Sequence, residues 1–171
     1  MYVPSDDTFL LADCIMQYRG EWALEIGVGS GILLNILEKN FQNVAGSDIS
    51  LQALQHCKSR SSAMLACCDA ASAFAGKFDL IVSNPPYLPD DDVKDLPVHG
   101  GPAGIEATVH FIQSALPLLS DSGKMLVVVS SLADAAGLDR LVAEMKMHKK
   151  VVKEKILFYE TLSVVELSLF Q

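Results

Sequence analysis

Residues 23–34 read ALEIGVGSGILL, and the fold turns on how this stretch divides. Ala23 to Ile26 is a short apolar strand. Gly27, Gly29 and Gly31 then form a G-x-G-x-G run, and Ile32-Leu33-Leu34 opens a helix. Glycine lets the backbone turn sharply and lets a ligand approach where a Cβ would stand. Strand, glycine turn and helix together make the first half of a βαβ unit, the building block of a parallel sheet.

The rest of the chain repeats that alternation. GILLNILEKN reads as the helix, NVAGSD (43–48) as a second strand and SLQALQHCKSR (50–60) as the next helix. AMLACC (63–68) and FDLIVS (78–83) are the third and fourth strands. Ile105, Val109, Ile112, Leu116 and Leu119 mark a helical face, ended by Pro117 and an SDSG turn. KMLVVVS (124–130) is a fifth strand and LADAAGLDRLVAEMKM (132–147) a helix. Two final strands span 149–160 and 161–170. Upstream, Ser5 is placed to cap a helix whose first turn carries Asp6 and Asp7, with Leu11, Ile15 and Tyr18 at helical spacing. Continuous apolar inner strands separated by helices predict a mostly parallel seven-stranded sheet with helices on both faces. The last two strands have no helix between them. They form a hairpin, so one strand near the edge runs antiparallel.

Composition narrows the function. The chain has 171 residues and a net charge of −8, with half its residues hydrophobic and a fifth charged. That size predicts a single domain over 1–171. The acidic balance argues against a grip on duplex nucleic acid. The one basic cluster, KMHKKVVKEK (146–155), reads as a helix end and strand edge. No apolar run reaches the ~20 residues of a membrane span. MYVPSDDTFLLADCIM lacks a basic leader, so a cytoplasmic location is expected. Cys14, Cys57, Cys67 and Cys68 form no C-x-x-C pair and read as buried free thiols. His56, His99, His110 and His148 show no metal-ligand spacing, so no metal is expected.

Asp48 ends the second strand, 21 residues beyond Gly27. A carboxylate there can accept from both hydroxyls of a ribose. A dinucleotide fingerprint needs glycine or alanine at the sixth position of the run, where this chain has Ile32. The early third glycine suits a ligand without a pyrophosphate, such as S-adenosylmethionine. Asp69, ending the third strand, is either a bonding partner for an adenine amino group or a turn cap. Glu25 either orients the glycine loop or the cofactor's amino group, or is a strand-end acid satisfied by backbone amides. The fourth strand runs into SNPPYLPD (83–90). Pro85 and Pro86 forbid its continuation and hold Asn84 and Tyr87 on a stiff elbow. Read alone, this elbow is either a rigid loop or a site.

Taken together, the glycine run, Asp48 and NPPY resemble the class I S-adenosylmethionine-dependent methyltransferases that act on amino groups, with their Rossmann-like fold. YVPSDDTFLLAD (2–13) is similar to the Y-x-P-x-x-D-[ST]-x-x-L segment of the HemK/PrmC-type protein-glutamine methyltransferases. Asn84 is the asparagine those enzymes carry, and GGPAGIE (100–106) resembles their glycine-rich segment, although Pro102 and Ala103 depart from its more polar pattern. The resemblance covers nearly the whole chain. The bacterial members carry an extra N-terminal helical domain, so it points to the short archaeal and eukaryotic branch.

The resemblance implies methylation of the glutamine in a Gly-Gly-Gln loop of class I translation release factors. It also implies a small zinc-binding activator protein as a heterodimer partner. It assigns the acceptor site to Asn84, Pro85, Pro86 and Tyr87, with Asn84, Pro85 and Tyr87 catalytic. The cofactor set is Thr8, Glu25, Gly27, Gly29, Gly31, Asp48, Ile49, Asp69, Ala70 and Asn84. An amide nitrogen is a poor nucleophile, so its reaction depends on alignment and water exclusion. Asn84 can accept from one N–H and donate to the acceptor's carbonyl, the Pro85 carbonyl can accept the other N–H, and Tyr87 can pack on the amide plane.

Three other readings compete. NPPY also occurs in enzymes that methylate exocyclic amines of DNA or RNA bases; the acidic charge and the lack of a target-recognition domain weigh against that activity. A non-catalytic cofactor-binding subunit would be free to lose Gly27, Gly29, Gly31, Asp48 and Asn84. A nicotinamide dehydrogenase conflicts with Ile32.

Overall fold

A computed structural model describes residues 4–89 and 99–170. Tyr2 of the N-terminal motif and Asp90 of the elbow lie outside them. The first half-unit forms where the sequence places it, as β1 (Gly20–Ile26) and α2 (Ile32–Asn40), preceded by α1 (Asp6–Ile15). β2 (Phe41–Asp48), α3 (Leu51–Lys58), β3 (Met64–Cys67) and β4 (Phe78–Ser83) follow. Beyond them come two short strands, β5 (Leu88–Pro89) and β6 (His99–Gly101), then α4 (Glu106–Ala115) and β7 (Leu119–Ser130). The chain closes with α5 (Ala135–Glu144), β8 (Met147–Ile156) and β9 (Thr161–Leu169).

The main sheet has seven strands in the order β3-β2-β1-β4-β7-β9-β8. Its first five strands are parallel, and β9 runs antiparallel between β7 and β8. The order explains itself from β1 outward. The chain steps to β2 and β3 on one side, then crosses back to β4 on the other. That reversal opens a crevice beyond the carboxyl ends of β1 and β4, where open α/β sheets bind ligands.

Alternate residues of each inner strand feed the two faces. Ala23, Leu80, Val82, Leu126 and Val128 pack with Leu11 and Ile15 of α1, Leu34 and Leu37 of α2, and Leu54 of α3. Leu24, Ile26, Ile81, Met125 and Val127 pack with Ile112 of α4 and with Leu138 and Val142 of α5. Helices thus cover both faces, as the apolar runs require. No helix among the described residues is long and apolar enough to cross a membrane.

Five local features differ from what the sequence predicts. Ser5 occupies the N-cap of α1 but makes no side-chain cap bond. Its hydroxyl donates instead to Asp7, and Asp7 is buried rather than spread over a solvated helix end. The SDSG stretch lies inside β7 rather than ahead of it. Phe78 pairs with Leu119 and Leu80 with Lys124, so the extra residues bow out of register without ending the strand. The buried residues of α4 are Thr108, Ile112 and Ala115; the helix stops at Ala115, and a 3-10 turn holds Pro117. Cys67 is exposed, because β3 is an edge strand. Finally, β5 and β6 pair as a small parallel sheet of their own, built from the elbow and the glycine-rich segment.

Candidate active site

Strand register assembles the site. Ile26 pairs with Ser47 on one side and Ser83 on the other. The next residue on each strand is Gly27, Asp48 and Asn84, so these three emerge side by side at the carboxyl edge. Ser83 is buried, and its hydroxyl donates to the Ile26 carbonyl at 3.0 Å, tying the two central strand ends together.

The glycine loop is braced from β2. The Gly27 and Val28 amides donate to the Ser47 carbonyl at 2.8 and 3.0 Å. The Gly29 amide donates to Asp48 Oδ2 at 3.0 Å, and the Ser50 amide donates to Asp48 Oδ1 at 2.8 Å. Asp48 thus shapes the loop, and lone pairs on both oxygens remain for ligand hydroxyls. Gly27 and Gly29 have φ of +79° and +45°, and a Cβ on Gly29 would meet nothing within 4 Å. The turn therefore needs glycine for its conformation, and the space above Gly29 is open to a ligand.

A cavity of about 300 Å³ joins these parts. Thr8, Glu25, Gly27, Gly29, Asp48, Ile49, Asn84, Pro85, Pro86 and Tyr87 line it, all of them predicted site residues. Glu25 is buried, and burial pushes its carboxyl well above the usual range; the Leu34 amide pulls the other way. Two buried side-chain oxygens of residues in the cavity wall, Glu25 Oε2 and Asn84 Oδ1, have no hydrogen-bond partner among the described residues. Buried polar atoms normally find partners. Two orphaned acceptors beside a glycine cradle therefore suit a ligand that brings donors, such as an ammonium group or an amide N–H.

Three predicted residues do not reach the cavity. Asp69 is exposed, and His110 Nε2 lies 2.9 Å from its Oδ1 and 3.0 Å from its Oδ2. Ala70 is buried at φ +45° in the turn after β3. Gly31 caps α2, where a Cβ would stand 2.8 Å from the Cys57 sulfur, so its smallness serves packing.

Conversely, the structure adds Asp7 and Phe111 to the wall. Phe111 sits near Gly27, from the side of α4 adjoining its buried stripe. The 108-111-112-115 spacing carried that signal, but only as a slightly wider apolar face. The glycine-rich segment packs on the back of the elbow. A Cβ on Gly100 would stand 2.8 Å from the Pro86 carbonyl oxygen, and one on Gly104 2.7 Å from that of Tyr87.

Comparison with known proteins gives consistent matches. The family model of the methyltransferase small domain matches residues 6–158. A Methanocaldococcus jannaschii protein named for protein N5-glutamine methyltransferase activity is 29% identical over 144 residues, covering 77% of this chain and 73% of that protein. The release factor glutamine methyltransferase of Bradyrhizobium diazoefficiens is 31% identical over 153 residues, covering 73% of this chain and 51% of its own length. The chain therefore spans about half the length of that bacterial relative. Among solved structures, the E. cuniculi Mtq2-Trm112 complex, described as responsible for methylation of the eRF1 translation termination factor, matches with a TM-score of 0.83 at 22% identity. The match covers 99% of this chain and 98% of that one.

Proposed function

Because this chain belongs to the methyltransferase small domain family and has HemK-type relatives, we propose that it methylates the side-chain amide of the glutamine in the Gly-Gly-Gln loop of a class I translation release factor. It is an S-adenosylmethionine-dependent N-methyltransferase. The observation that carries the choice of acceptor is the buried, unpaired Asn84 Oδ1 in the wall of the cavity, beside the glycine loop.

The residues present fit the donor. Asp48 offers acceptors to a ribose, Glu25 Oε2 offers one to an ammonium group, and Ile49 supplies apolar surface for a flat ring. Gly27 and Gly29 leave room for close approach. When bound, the donor supplies an electrophilic methyl group on a sulfonium.

The chain's own task is positioning. Asn84 Oδ1 accepts one N–H of the acceptor amide, and Asn84 Nδ2 donates to its carbonyl. The Pro85 carbonyl accepts the second N–H. Tyr87 borders the slot with a flat ring, and Phe111 helps to close it against water. No general base is required for alignment: the amide nitrogen would gain the methyl as the S–CH3 bond breaks to leave a neutral thioether, and its surplus proton would pass to water.

A small zinc-binding activator protein is proposed as a partner; the matched Mtq2 structure is itself a complex, with Trm112. Exposed Leu51 and Met64 near the unpaired edge of β3 support such a contact. Translation termination makes the cytoplasm the proposed place of action.

The test is methyl transfer from radiolabelled S-adenosylmethionine to a Gly-Gly-Gln release factor, with DNA and bulk RNA as parallel acceptors, with and without the activator. Label should enter the release factor and vanish when the glutamine is replaced by glutamate. Label in nucleic acid alone would overturn the reading in favour of base methylation.

A further inference from the structure

Asp7 stands out because an acid in the first turn of a helix is ordinarily a solvated residue, and this one is 2% exposed. A buried carboxylate is costly unless hydrogen bonds replace its water. Its Oδ1 accepts from the Thr8 amide at 2.5 Å, the Thr8 hydroxyl at 3.2 Å and the Ser5 hydroxyl at 3.0 Å. Its Oδ2 accepts from the Tyr87 hydroxyl at 2.9 Å, across 80 residues of sequence. Both Asp7 and Tyr87 line the cavity.

We infer that Asp7 is a positioning residue for the methyl transfer: through the Tyr87 hydroxyl it fastens the acceptor elbow to α1 and so fixes where Asn84 stands. The geometry supports this from both ends of the elbow. On the strand side, Ser83 is pinned by its bond to the Ile26 carbonyl. On the far side, Tyr87 is pinned by Asp7. Between the pins lie Asn84 and two prolines, whose fixed φ values leave little slack. A shift at Tyr87 is therefore passed to Asn84 rather than absorbed. The position of an acceptor amide is sensitive to such shifts, because transfer depends on alignment. This inference rests on the reading of Asn84 as the acceptor clamp.

Two variants test it. Tyr87→Phe removes only the hydroxyl, and Asp7→Asn keeps the volume. Each should lower kcat for release factor methylation roughly ten- to hundredfold, the scale of one hydrogen bond to a charged group. Affinity for S-adenosylhomocysteine, measured by calorimetry, should hold for Tyr87→Phe. The double variant should be no slower than the worse single one, since both act on the same bond, Tyr87→Phe by deleting its donor and Asp7→Asn by removing the charge of its acceptor. In the free protein, amide hydrogen exchange at Asn84, Tyr87 and Leu88 should quicken in both variants, with β1 unchanged.

Wild-type kcat together with wild-type exchange in Tyr87→Phe would overturn the inference, even if Asp7→Asn fails to fold. So would losses that multiply in the double variant, because independent roles multiply. A lower melting temperature with full kcat in the folded protein would mark Asp7 as structural only. If the wild type does not methylate the release factor, the substrate reading fails, and exchange at the elbow decides the latch by itself.

Discussion

Replacing Gly104 by alanine tests whether the glycine-rich segment sets the elbow. Gly104 has φ +72°, where a side chain costs about 1–2 kcal/mol. Its added Cβ would stand 2.7 Å from the Tyr87 carbonyl oxygen and 3.1 Å from both Ala133 Cβ and Pro89 Cγ. None of these is the far end of a flexible side chain, so the elbow itself must move. Overpacking of that kind costs about 1–3 kcal/mol. The expected loss is therefore about 2–5 kcal/mol, and an average domain stability leaves a folded protein. Gly76 supplies the control. Its φ is +96°, but a Cβ there would meet nothing within 4 Å, so Gly76→Ala should cost only the conformational part. Urea unfolding should give similar slopes for both variants and a lower midpoint for Gly104→Ala. Methyl transfer should fall in Gly104→Ala and hold in Gly76→Ala. Equal midpoints, or full activity in Gly104→Ala, would refute the packing of this segment against the elbow.

Asn84→Ala should abolish transfer while sparing S-adenosylmethionine binding, and Asn84→Asp should fall steeply because a carboxylate cannot donate to the acceptor carbonyl. Full glutamine methylation by Asn84→Asp would disprove the two-point clamp. Asp48→Ala should weaken cofactor binding by roughly 1–3 kcal/mol, the cost of unpaired partners, and should also lower stability because the Gly29 and Ser50 amides lose their acceptor. Calorimetry and thermal melts read the two effects separately. In the ligand-free chain, burial raises the Glu25 carboxyl well above the ordinary 4.5. The folded chain then binds more protons than the unfolded one above that value. This contribution to stability is fully present below 4.5 and is lost as pH rises through the folded value. Glu25→Gln should flatten the decline in ligand-free melting temperature from pH 5 to 8; parallel curves for variant and wild type would contradict it.

What could be read from the chain alone is what depends on near neighbours in sequence. Apolar runs and helical spacing determined seven strands with helices between them. The glycine run between β1 and α2 and the two prolines after β4 determined two special strand ends. Asp48, at the end of β2, followed from its spacing to Gly27. These signals are local, because backbone sterics and side-chain periodicity act over a few residues. What only the tertiary structure decided is which strand ends meet. β4 pairs with β1, so Asn84 stands beside Gly27 and Asp48, whereas Asp69 at the far edge pairs with His110 instead of facing the cavity. No periodicity signals that Asp7 reaches Tyr87, or that Gly100 and Gly104 press on the elbow's backbone. Both acids at 6 and 7 suit a helix N-terminus equally well by sequence. Asp7 alone is buried, because the direction of its side chain from α1 meets an elbow brought there by strand order. Contacts between distant segments are set by how whole elements pack, and that packing leaves no local pattern behind.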